Sequence, residues 1–377
     1  MSTQRKHLMI AVPLLAVVVV WAGCSRSKHV QEPDEPTSHA EIVGPAAVKA
    51  NADQLPGTVV TPHLECEIAP GKNVLWCATF QIAWNELCDL LGGPIQGSVA
   101  RVTVSILNKR AVTRRDLDEA SYVAMAGYIT RDTNDIRQKI IRELDHKFKG
   151  TASPELLRVL DSAPTGFWAS YAYLFKELPF ERAFERMRRS LMFADREVES
   201  FGIKQLLDED KDEVKAANQV LVYDYKSVDD FIVELKTQSK SDRLILAKIP
   251  PGRTLADMVA AVWTRLQQST PGSMPRHADL FIPVIDFDVL RHYHELAGIG
   301  IALQQTRFKL SERGAILKSE SVMVKAAAFK NLVFDKPFLV MIQRTNAGQP
   351  YFALWVANAE LLVPFHETSS KRSSSVR

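Results

Sequence analysis

The stretch that decides the fold runs from residue 304 to residue 358 and reads QQTRFKLSERGAILKSESVMVKAAAFKNLVFDKPFLVMIQRTNAGQPYFALWVAN. Two apolar runs lie near its end, Pro337–Gln343 and Tyr351–Val356. Between them, Arg344–Pro350 contains asparagine, glycine and proline, which are residues that favour turns. Two apolar runs separated by turn residues predict a β-hairpin, here with a loop longer than the tightest turns.

The chain upstream of this hairpin mixes helical and strand-like patterns. The spacing of apolar residues predicts helices over Ala78–Leu91, Asn134–Lys149, Thr254–Gln268 and the short Val289–Ala297. Four apolar residues share one face of the second helix: Ile136, Ile140, Leu144 and Phe148. Strands are predicted over Tyr122–Ile129, a buried Phe167–Phe175, Gln219–Tyr225, Phe231–Leu235, Arg243–Ile249 and Leu280–Asp286. Val99–Leu107 fits either structure, and the sum predicts one α+β domain rich in antiparallel strands.

Composition excludes several classes of protein. The chain has 377 residues, of which 46% are hydrophobic and 24% charged, so it is long and apolar enough to fold around a core. Its formal net charge of +3 is too balanced to suggest a nucleic-acid-binding protein. Its 4 cysteines are too few for a disulfide-stapled mini-protein.

The N-terminus is typical of an exported protein. A basic start, Arg5–His7, precedes an apolar run over Leu8–Gly23 that is shorter than the roughly 20 residues needed to span a bilayer. The run ends in Trp21–Cys24, which resembles a bacterial lipobox. This resemblance implies that Cys24 is lipidated, for example with palmitate, and anchors the chain in the cell envelope. An ordinary signal peptide or a single-pass anchor is the alternative.

These observations divide the chain into four parts. Residues 1–23 are predicted to be a signal peptide, and residues 24–60, which lack apolar periodicity, a flexible tether. Residues 61–366 are predicted to form the folded domain, and the serine-rich residues 367–377 a disordered tail. Outside the cytoplasm Cys66 and Cys77 could form a disulfide, which would leave Cys88 as a free buried thiol.

Common catalytic and metal-binding motifs are absent from the sequence or incomplete. His292 and His294 form the only close histidine pair, but they fall in a predicted helix, where residues two apart diverge. Asp208, Asp210 and Asp212 have the spacing that opens a calcium loop, but its glycine and its final glutamate are missing. The sequence therefore predicts no metal, no cofactor and no enzymatic activity, since a hydrolase would need a nucleophile–base pair.

Two motifs in the deciding stretch resemble the C-terminal part of the serpins, a family of serine protease inhibitors. Glu312-Arg313-Gly314 resembles the family's Glu-x-Gly element, and Phe334–Leu339 resembles its Phe-x-x-Pro-Phe strand, with Phe334, Pro337 and Phe338 in the defining positions. Weaker matches follow the family's order upstream: Gly71–Val74, Ala172–Lys176, Phe180, Phe184, Leu244–Pro250 and Phe281–Leu290. The resemblance implies a serpin-like α+β fold, with largely antiparallel sheets, surrounding helices and an exposed reactive-centre-type loop.

The sequence also departs from that family. The "shutter" positions, where serpins carry hydrogen-bonding residues beneath the main sheet, are Cys77, Ala78, Phe80, Tyr171 and Gln304. Residues 150–165 are too few for the family's long helix F, and no first helix is predicted before Asn73. The expected fold is therefore N-terminally shortened, with helix F reduced.

In serpins, a protease cleaves the exposed loop, which then inserts into the main sheet as a new strand. By the resemblance, the hinge of that loop comprises Glu312, Gly314, Ala315, Leu317 and Ser319. Strand alternation places Ala315, Leu317 and Ser319 on one face, which does not forbid insertion. Ile316, Leu317 and Lys318 are bulky, however, so insertion is expected to be slow.

The resemblance also sets where a protease would cut. The candidate scissile region comprises Lys325, Ala326, Ala327, Ala328 and Phe329, within a bait loop over residues 315–333. Lys325 would suit a trypsin-like enzyme and the alanines an elastase-like one, although the same residues could be a plain connector. The sequence thus predicts a monomeric, envelope-anchored inhibitor whose partner is a serine or cysteine protease. The alternative is a non-inhibitory scaffold or binding protein whose loop does not insert.

Overall fold

The computed structural model describes residues 46–96, 100–132, 135–148, 153–204, 211–275, 277–296, 302–314 and 331–366. The helices within these ranges are α1 (Thr79–Leu90), α2 (Arg101–Leu107), α3 (Ile136–Phe148), α4 (Pro154–Ser162), α5 (Lys211–Ala217) and α6 (Leu255–Gln268). The described residues all lie in one compact unit, His39–Arg377. None of the helices in these ranges is long and apolar enough to cross a bilayer.

The strands of the first half of the chain are β1 (Val48–Asn51), β2 (Thr58–Thr61), β3 (Asn73–Cys77), β4 (Tyr122–Tyr128), β5 (Trp168–Leu174), β6 (Glu185–Arg186), β7 (Leu191–Phe193), β8 (Arg196–Val198) and β9 (Ser200–Ile203). The strands of the second half are β10 (Val220–Ser227), β11 (Asp230–Leu235), β12 (Asp242–Lys248), β13 (Gly272–Ser273), β14 (Leu280–Pro283), β15 (Ile285–His292), β16 (Leu303–Leu310), β17 (Leu332–Val333), β18 (Phe338–Arg344) and β19 (Phe352–Val356).

The largest sheet has the order β13-β10-β11-β12-β18-β19-β3-β2. The predicted hairpin is confirmed as its β18–β19 pair, in which Phe338 lies opposite Val356 and Ile342 opposite Phe352. Every residue of β19 is buried, and so are all residues of β18 except the last. These two strands are apolar without alternation because both faces of the sheet are covered.

The remaining strands form smaller sheets. A three-stranded sheet has the order β1-β15-β16, a four-stranded sheet has the order β17-β14-β9-β6, and β4-β5 and β7-β8 are two-stranded. Most ladders are antiparallel, whereas β1–β15, β2–β3 and β14–β17 are parallel. The α+β class with largely antiparallel sheets is therefore confirmed.

The predicted helices form where apolar faces and capping residues coincide. The four apolar residues predicted to share a face of α3 are all buried. At the start of α6, the Thr254 side chain accepts a hydrogen bond from the Asp257 N–H, and the Asp257 carboxylate accepts one from the Thr254 N–H. This reciprocal capping box satisfies backbone donors that have no partner within the helix. α1 ends just before Gly92, whose φ is +75°.

Two predictions from the sequence are wrong because long-range strand pairing decides the local structure. The predicted tether over residues 24–60 contains two strands near its end, β1, which pairs with β15, and β2, which pairs with β3. The short helix predicted over Val289–Ala297 is instead the second half of β15, followed by a single 3-10 turn at His294–Leu296. Along its whole length β15 pairs with β16, with Ile285 opposite Leu310 at one end and His292 opposite Leu303 at the other.

Two further segments refine the predictions. The ambiguous Val99–Leu107 contains the helix α2. The strand predicted over Phe167–Phe175 forms as β5, but it is half-buried, with Phe167 and Trp168 57% and 51% exposed. β5 has one ladder partner among the described strands, β4, and its exposed end lies beyond the apolar cluster that it shares with α3 and α4.

Candidate functional site at the ends of segment 315–330

The predicted loop residues divide between described and undescribed parts of the chain. Glu312 and Gly314 lie in the turn after β16, which ends at Leu310. Phe334 and Pro337 precede β18, and Phe338 is its first residue. Ala315, Leu317, Ser319, the candidate scissile region Lys325–Phe329 and the predicted lipidation site Cys24 lie outside the described residues. The candidate site is therefore built from the two ends of segment 315–330.

The N-terminal end of this segment is held by a buried ion pair. The Glu312 side chain is 6% exposed, and its Oε2 lies 2.7 Å from a guanidinium nitrogen of Arg186 on β6. The same guanidinium contacts Glu199, so one arginine joins two carboxylates. A buried carboxylate needs such partners, because an unpaired buried charge is strongly unfavourable.

Backbone hydrogen bonds reinforce this anchor. The Phe184 N–H donates to the Glu312 carbonyl oxygen at 2.6 Å, and the Phe180 N–H donates to the Arg313 carbonyl oxygen at 3.2 Å. The two phenylalanine rings pack edge to face with centroids 4.9 Å apart. Residues 180–186 therefore clamp the chain where β16 ends.

Gly314 completes the anchor because no other residue fits there. Its φ is +77°, and a Cβ atom would lie 2.6 Å from the Pro179 Cα and 2.7 Å from the Leu178 carbonyl oxygen. The steric contact is with backbone, which cannot rotate away as a side chain can. The glycine of the Glu-x-Gly element thus allows the close approach to residues 178–180.

We expect Gly314→Ala to destabilise the fold by about 1–3 kcal/mol, because it adds a backbone clash to the strain of a positive φ. Gly71→Ala is the matched control: its φ is +71°, but no atom lies within 4 Å of its Cβ position. Urea denaturation should therefore show a larger loss for Gly314→Ala than for Gly71→Ala. Equal losses would show that the clash with residues 178–180 is absent.

The C-terminal end of segment 315–330 is held by a short strand and a buried aromatic ring. β17 pairs in parallel with β14, and the Phe334 N–H donates to the Phe281 carbonyl oxygen at 2.9 Å. The Phe334 ring is fully buried, with centroids 5.0 Å from Phe231 and 5.1 Å from Phe338. The Phe-x-x-Pro-Phe element thus fixes the chain as it enters β18.

Both ends of the segment are attached to the same four-stranded sheet. β17 is one edge of this sheet, and β6, which carries Arg186, is the other. Three interstrand spacings amount to about 15 Å. The sixteen residues of 315–330 have a contour length of about 55 Å when extended. The sequence between the two anchors is thus much longer than the connection requires.

Two strand edges next to the N-terminal anchor have no ladder partner among the described residues. They belong to β16, which pairs with β15, and to β5, which pairs with β4. The Ser153 hydroxyl before α4 contacts the Gln305 side-chain oxygen on β16. α4, the helix that precedes β5, has only nine residues, in keeping with the predicted reduction of helix F.

A polar network lies beneath this region, where the sequence predicted the loss of hydrogen-bonding residues. The amide nitrogen of Gln304 donates to the Cys77 carbonyl oxygen at 3.0 Å and to the Thr79 hydroxyl at 2.9 Å. Its amide oxygen accepts a hydrogen bond from the Tyr293 hydroxyl at 2.6 Å. Gln304 thus joins β16 to the start of α1.

Thr79 and Tyr293 were missed by the sequence reasoning. Only the hydroxyl of Thr79, beside the altered positions Cys77 and Ala78, offered a local signal. The Tyr171 hydroxyl is buried and has no hydrogen-bond partner among the described residues, and desolvation raises the pKa of Tyr171.

The possible disulfide between Cys66 and Cys77 does not form, and Cys66, Cys77 and Cys88 are all free. The carbonyl oxygen of Cys66 accepts a hydrogen bond from the Leu255 N–H at the start of α6, whereas the thiol of Cys77 contacts the Thr79 hydroxyl. The two cysteines are thus fixed by different elements. Burial raises the pKa of both thiols.

The described residues hold no cluster of histidine, cysteine and carboxylate side chains suited to a metal ion. His292 and His294 do not lie in the predicted helix: His292 is the last residue of β15, and His294 begins a 3-10 turn. Their rings stack with centroids 5.6 Å apart. Asp208 and Asp210 lie outside the described residues.

Comparison with known proteins gives a likeness of fold. No family model matches the chain, and no curated protein matches its sequence. It is similar to human thyroxine-binding globulin (TM-score 0.46, 12% identity, 76% of this chain and 92% of that chain). It is also similar to mouse protein-Z dependent protease inhibitor (0.43, 15%, 76% and 91%) and to Serpin48 of the insect Tenebrio molitor (0.41, 12%, 75% and 92%). These solved structures are serpins, the family that the C-terminal motifs resemble.

Proposed function

We propose that this chain is a serpin-type protease-binding protein that offers residues 315–333 as bait to a serine-type endopeptidase. The observation that carries the proposal is the anchoring of both ends of segment 315–330 on one four-stranded sheet. A protease must bind its substrate chain in an extended form, and the sixteen residues between the anchors supply the necessary length. The proposed cleavage region, Lys325–Phe329, lies in the C-terminal half of these sixteen residues.

The unpaired edges of β5 and β16 support a role in inhibition. Each edge offers a row of backbone N–H and C=O groups, without a ladder partner among the described residues, to which an added strand could hydrogen-bond. Because Gly314 lies four residues after the end of β16, a cleaved loop would start its insertion from that end. The inhibited state would then be a covalent acyl-enzyme, trapped before water can hydrolyse it.

A non-inhibitory binding protein is the second candidate, and two observations favour it. The Ser153–Gln305 contact fixes the start of α4 to β16, and the Gln304 network fixes β16 to α1. Both contacts resist movement of β16 relative to α1 and α4. The bulky Ile316-Leu317-Lys318 would slow insertion further. In this case the loop would serve as a ligand without trapping the enzyme.

The experiment that separates these functions uses the full chain in detergent, treated with trypsin or elastase under native conditions. An inhibitor should be cut within Lys325–Phe329, give a covalent band on a denaturing gel, and gain tens of degrees in melting temperature. A protease whose catalytic serine is replaced by alanine should give no covalent band. Cleavage at Lys325–Phe329 with no covalent band and an unchanged melting temperature would overturn inhibition and favour the binding protein.

We further propose that Cys24 carries a lipid that holds the domain at the bacterial cell envelope. The apolar run Leu8–Gly23 and the Trp21–Cys24 motif support this anchor. We expect Cys24→Ser to abolish incorporation of labelled palmitate and to release the chain from the membrane fraction. Cys66→Ser, the control, should leave both unchanged. Equal labelling of the Cys24→Ser protein would instead indicate an uncleaved apolar anchor or another modified residue.

A further inference from the structure

A lysine is buried at the end of a strand in the largest sheet. Lys248 is the last residue of β12 and lies opposite Phe231 on β11. The lysine is 3% exposed, and its ammonium lies 5.8 Å from the centroid of the Phe231 ring. Burying an ammonium group is costly unless several acceptors surround it.

The acceptors come from two separate segments. The Lys248 ammonium lies 2.9 Å from the Val228 carbonyl oxygen and 2.9 Å from an Asp229 carboxylate oxygen, both in the turn between β10 and β11. It lies 2.9 Å from the Val333 carbonyl oxygen and 2.6 Å from an Asp335 carboxylate oxygen. Four oxygens thus share three N–H donors, so the ammonium is fully satisfied.

A second lysine closes this arrangement from outside. The Lys336 ammonium lies 2.6 Å from the other carboxylate oxygen of Asp229. Hydrogen bonds lower the pKa of Asp229, and the bond from Lys336 has a larger effect than the bond from Lys248. Asp229 therefore bridges the buried ammonium of Lys248 and the exposed ammonium of Lys336, the residue after Asp335.

Stability alone does not explain a buried charge at this position. Well-packed apolar residues in place of a buried ion pair are often as stable or more stable. The neighbours of Lys248 on β12, Ala247 and Leu246, are apolar and fully buried. What distinguishes Lys248 is the identity of its partners. Two of the four oxygens around its ammonium belong to Val333 and Asp335, which follow segment 315–330.

The geometry points to Lys248 as a positioning residue that fixes the C-terminal boundary of the bait loop, an inference that rests on the proposed function of residues 315–333. Its ammonium holds Val333 and Asp335 to the β10–β11 turn, so the chain is immobilised from Leu332 onwards. A protease that engages the upstream residues then meets a fixed boundary. Without the ammonium, the exit keeps the backbone pairing of β17 with β14, the burial of Phe334 and the solvent-accessible Lys336–Asp229 ion pair, but it loses its buried ionic attachment to the largest sheet.

The test maps cleavage sites on the full chain in detergent, using chymotrypsin and elastase under native conditions and mass spectrometry of the fragments. In Lys248→Met, bonds after Leu332, Val333 and Phe334 should be cut about tenfold faster than in the unmodified protein, because cleavage follows the population of the locally open form. Arg243→Met is the matched control. Arg243 lies on the same strand and pairs with Glu234 at 2.7 Å, and its hydrogen bonds and ion pair with the described residues go to Glu234 and Tyr223 rather than to residues 331–336.

Faster cleavage at these three bonds in Lys248→Met but not in Arg243→Met supports the inference. An unchanged cleavage map for Lys248→Met, or the same new cuts in both variants, overturns it. If Lys248→Met fails to fold, Asp335→Asn takes its place, because it removes one partner whose side chain is 40% exposed. Asp335→Asn should open the same bonds, and an unchanged map would overturn the inference. These cuts are scored independently of covalent inhibition, so failure of the proposed function is seen separately.

Discussion

Replacing Lys176 with methionine is expected to lower the free energy of unfolding by about 3–5 kcal/mol. The Lys176 ammonium lies 2.8 Å from Asp242 and 3.0 Å from Asp118. The Asp242 side chain is 1% exposed, so the substitution leaves a buried carboxylate without its counter-charge. The hydroxyl groups of Tyr351 and Ser239 still donate to Asp242, at 3.0 and 2.6 Å, but they supply no positive charge.

This lysine joins the β4–β5 sheet to the largest sheet, and no strand ladder among the described residues connects these two sheets. Lys176 follows β5, Asp242 begins β12 in the largest sheet, and Asp118 precedes β4. Urea denaturation of Lys176→Met should show the predicted loss, whereas Lys336→Met, whose partner Asp229 is solvent-accessible, should be unchanged within error. Equal stability of the Lys176→Met and unmodified proteins would mean that solvent reaches Asp242.

The same ion pair sets part of the pH dependence of stability. The hydrogen bond from Lys176 lowers the pKa of Asp118 below its ordinary value of 3.8, against the opposing effect of burial. Its contribution is therefore complete above about pH 4 and is lost as the pH falls through the lowered pKa. Burial alone would lower the pKa of Lys176, but the bonds to Asp242 and Asp118 outweigh it and raise the pKa above 10.5. The contribution of Lys176 is lost only as the pH rises through its raised pKa. The loss at low pH therefore comes from Asp118, and Lys176→Met should reduce the change in the free energy of unfolding measured between pH 2 and pH 5.

Local sequence patterns predicted two kinds of element: a helix with one buried face, and strands that are buried on both faces. α3 formed where Ile136, Ile140, Leu144 and Phe148 recur at helical spacing, and all four are buried. The β18–β19 hairpin formed where turn residues separate two apolar runs. In both cases residues close in the sequence determine the structure.

Long-range partners decided the elements that the sequence did not predict. β1 contains only Val48–Asn51, and it is ordered by parallel pairing with Phe287–Leu290, more than two hundred residues away. The same effect keeps Val289–His292 in a strand, although their pattern is compatible with a helix. No short-range signal reports such pairings, because propensity is a weak guide when a neighbouring strand supplies the hydrogen bonds.

The candidate site shows the same division between local motif and distant partner. The Glu-x-Gly and Phe-x-x-Pro-Phe motifs located both ends of segment 315–330 from the sequence. Their partners were not predicted, because Arg186 is 126 residues from Glu312, and Lys248 is 87 residues from Asp335. The shutter region was misjudged for a related reason, since Gln304 hydrogen-bonds to Thr79 and Tyr293, which are not among the five shutter positions identified from the sequence.

Phe334→Ala is expected to destabilise the protein by about 3–5 kcal/mol, because it removes a fully buried ring from the junction of the loop exit and the largest sheet. The ring packs against Phe231 on β11 and Phe338 on β18, and a cavity between two aromatic rings held by the same sheet cannot collapse easily. Phe167→Ala is the matched control, since the same truncation at a 57% exposed ring should change stability by no more than about 0.5 kcal/mol. Urea denaturation of both variants gives the comparison.

The position of Phe334 makes this substitution informative about the loop as well as the core. Because Phe334 directly follows β17, loss of its ring should also loosen Leu332–Val333 from β14, and native-state hydrogen exchange should show faster exchange at the Leu332 and Phe334 amides. Unchanged exchange at those amides, together with a large loss of global stability, would show that β14 alone holds the exit. Equal destabilisation by Phe334→Ala and Phe167→Ala would contradict the packing described for the loop exit.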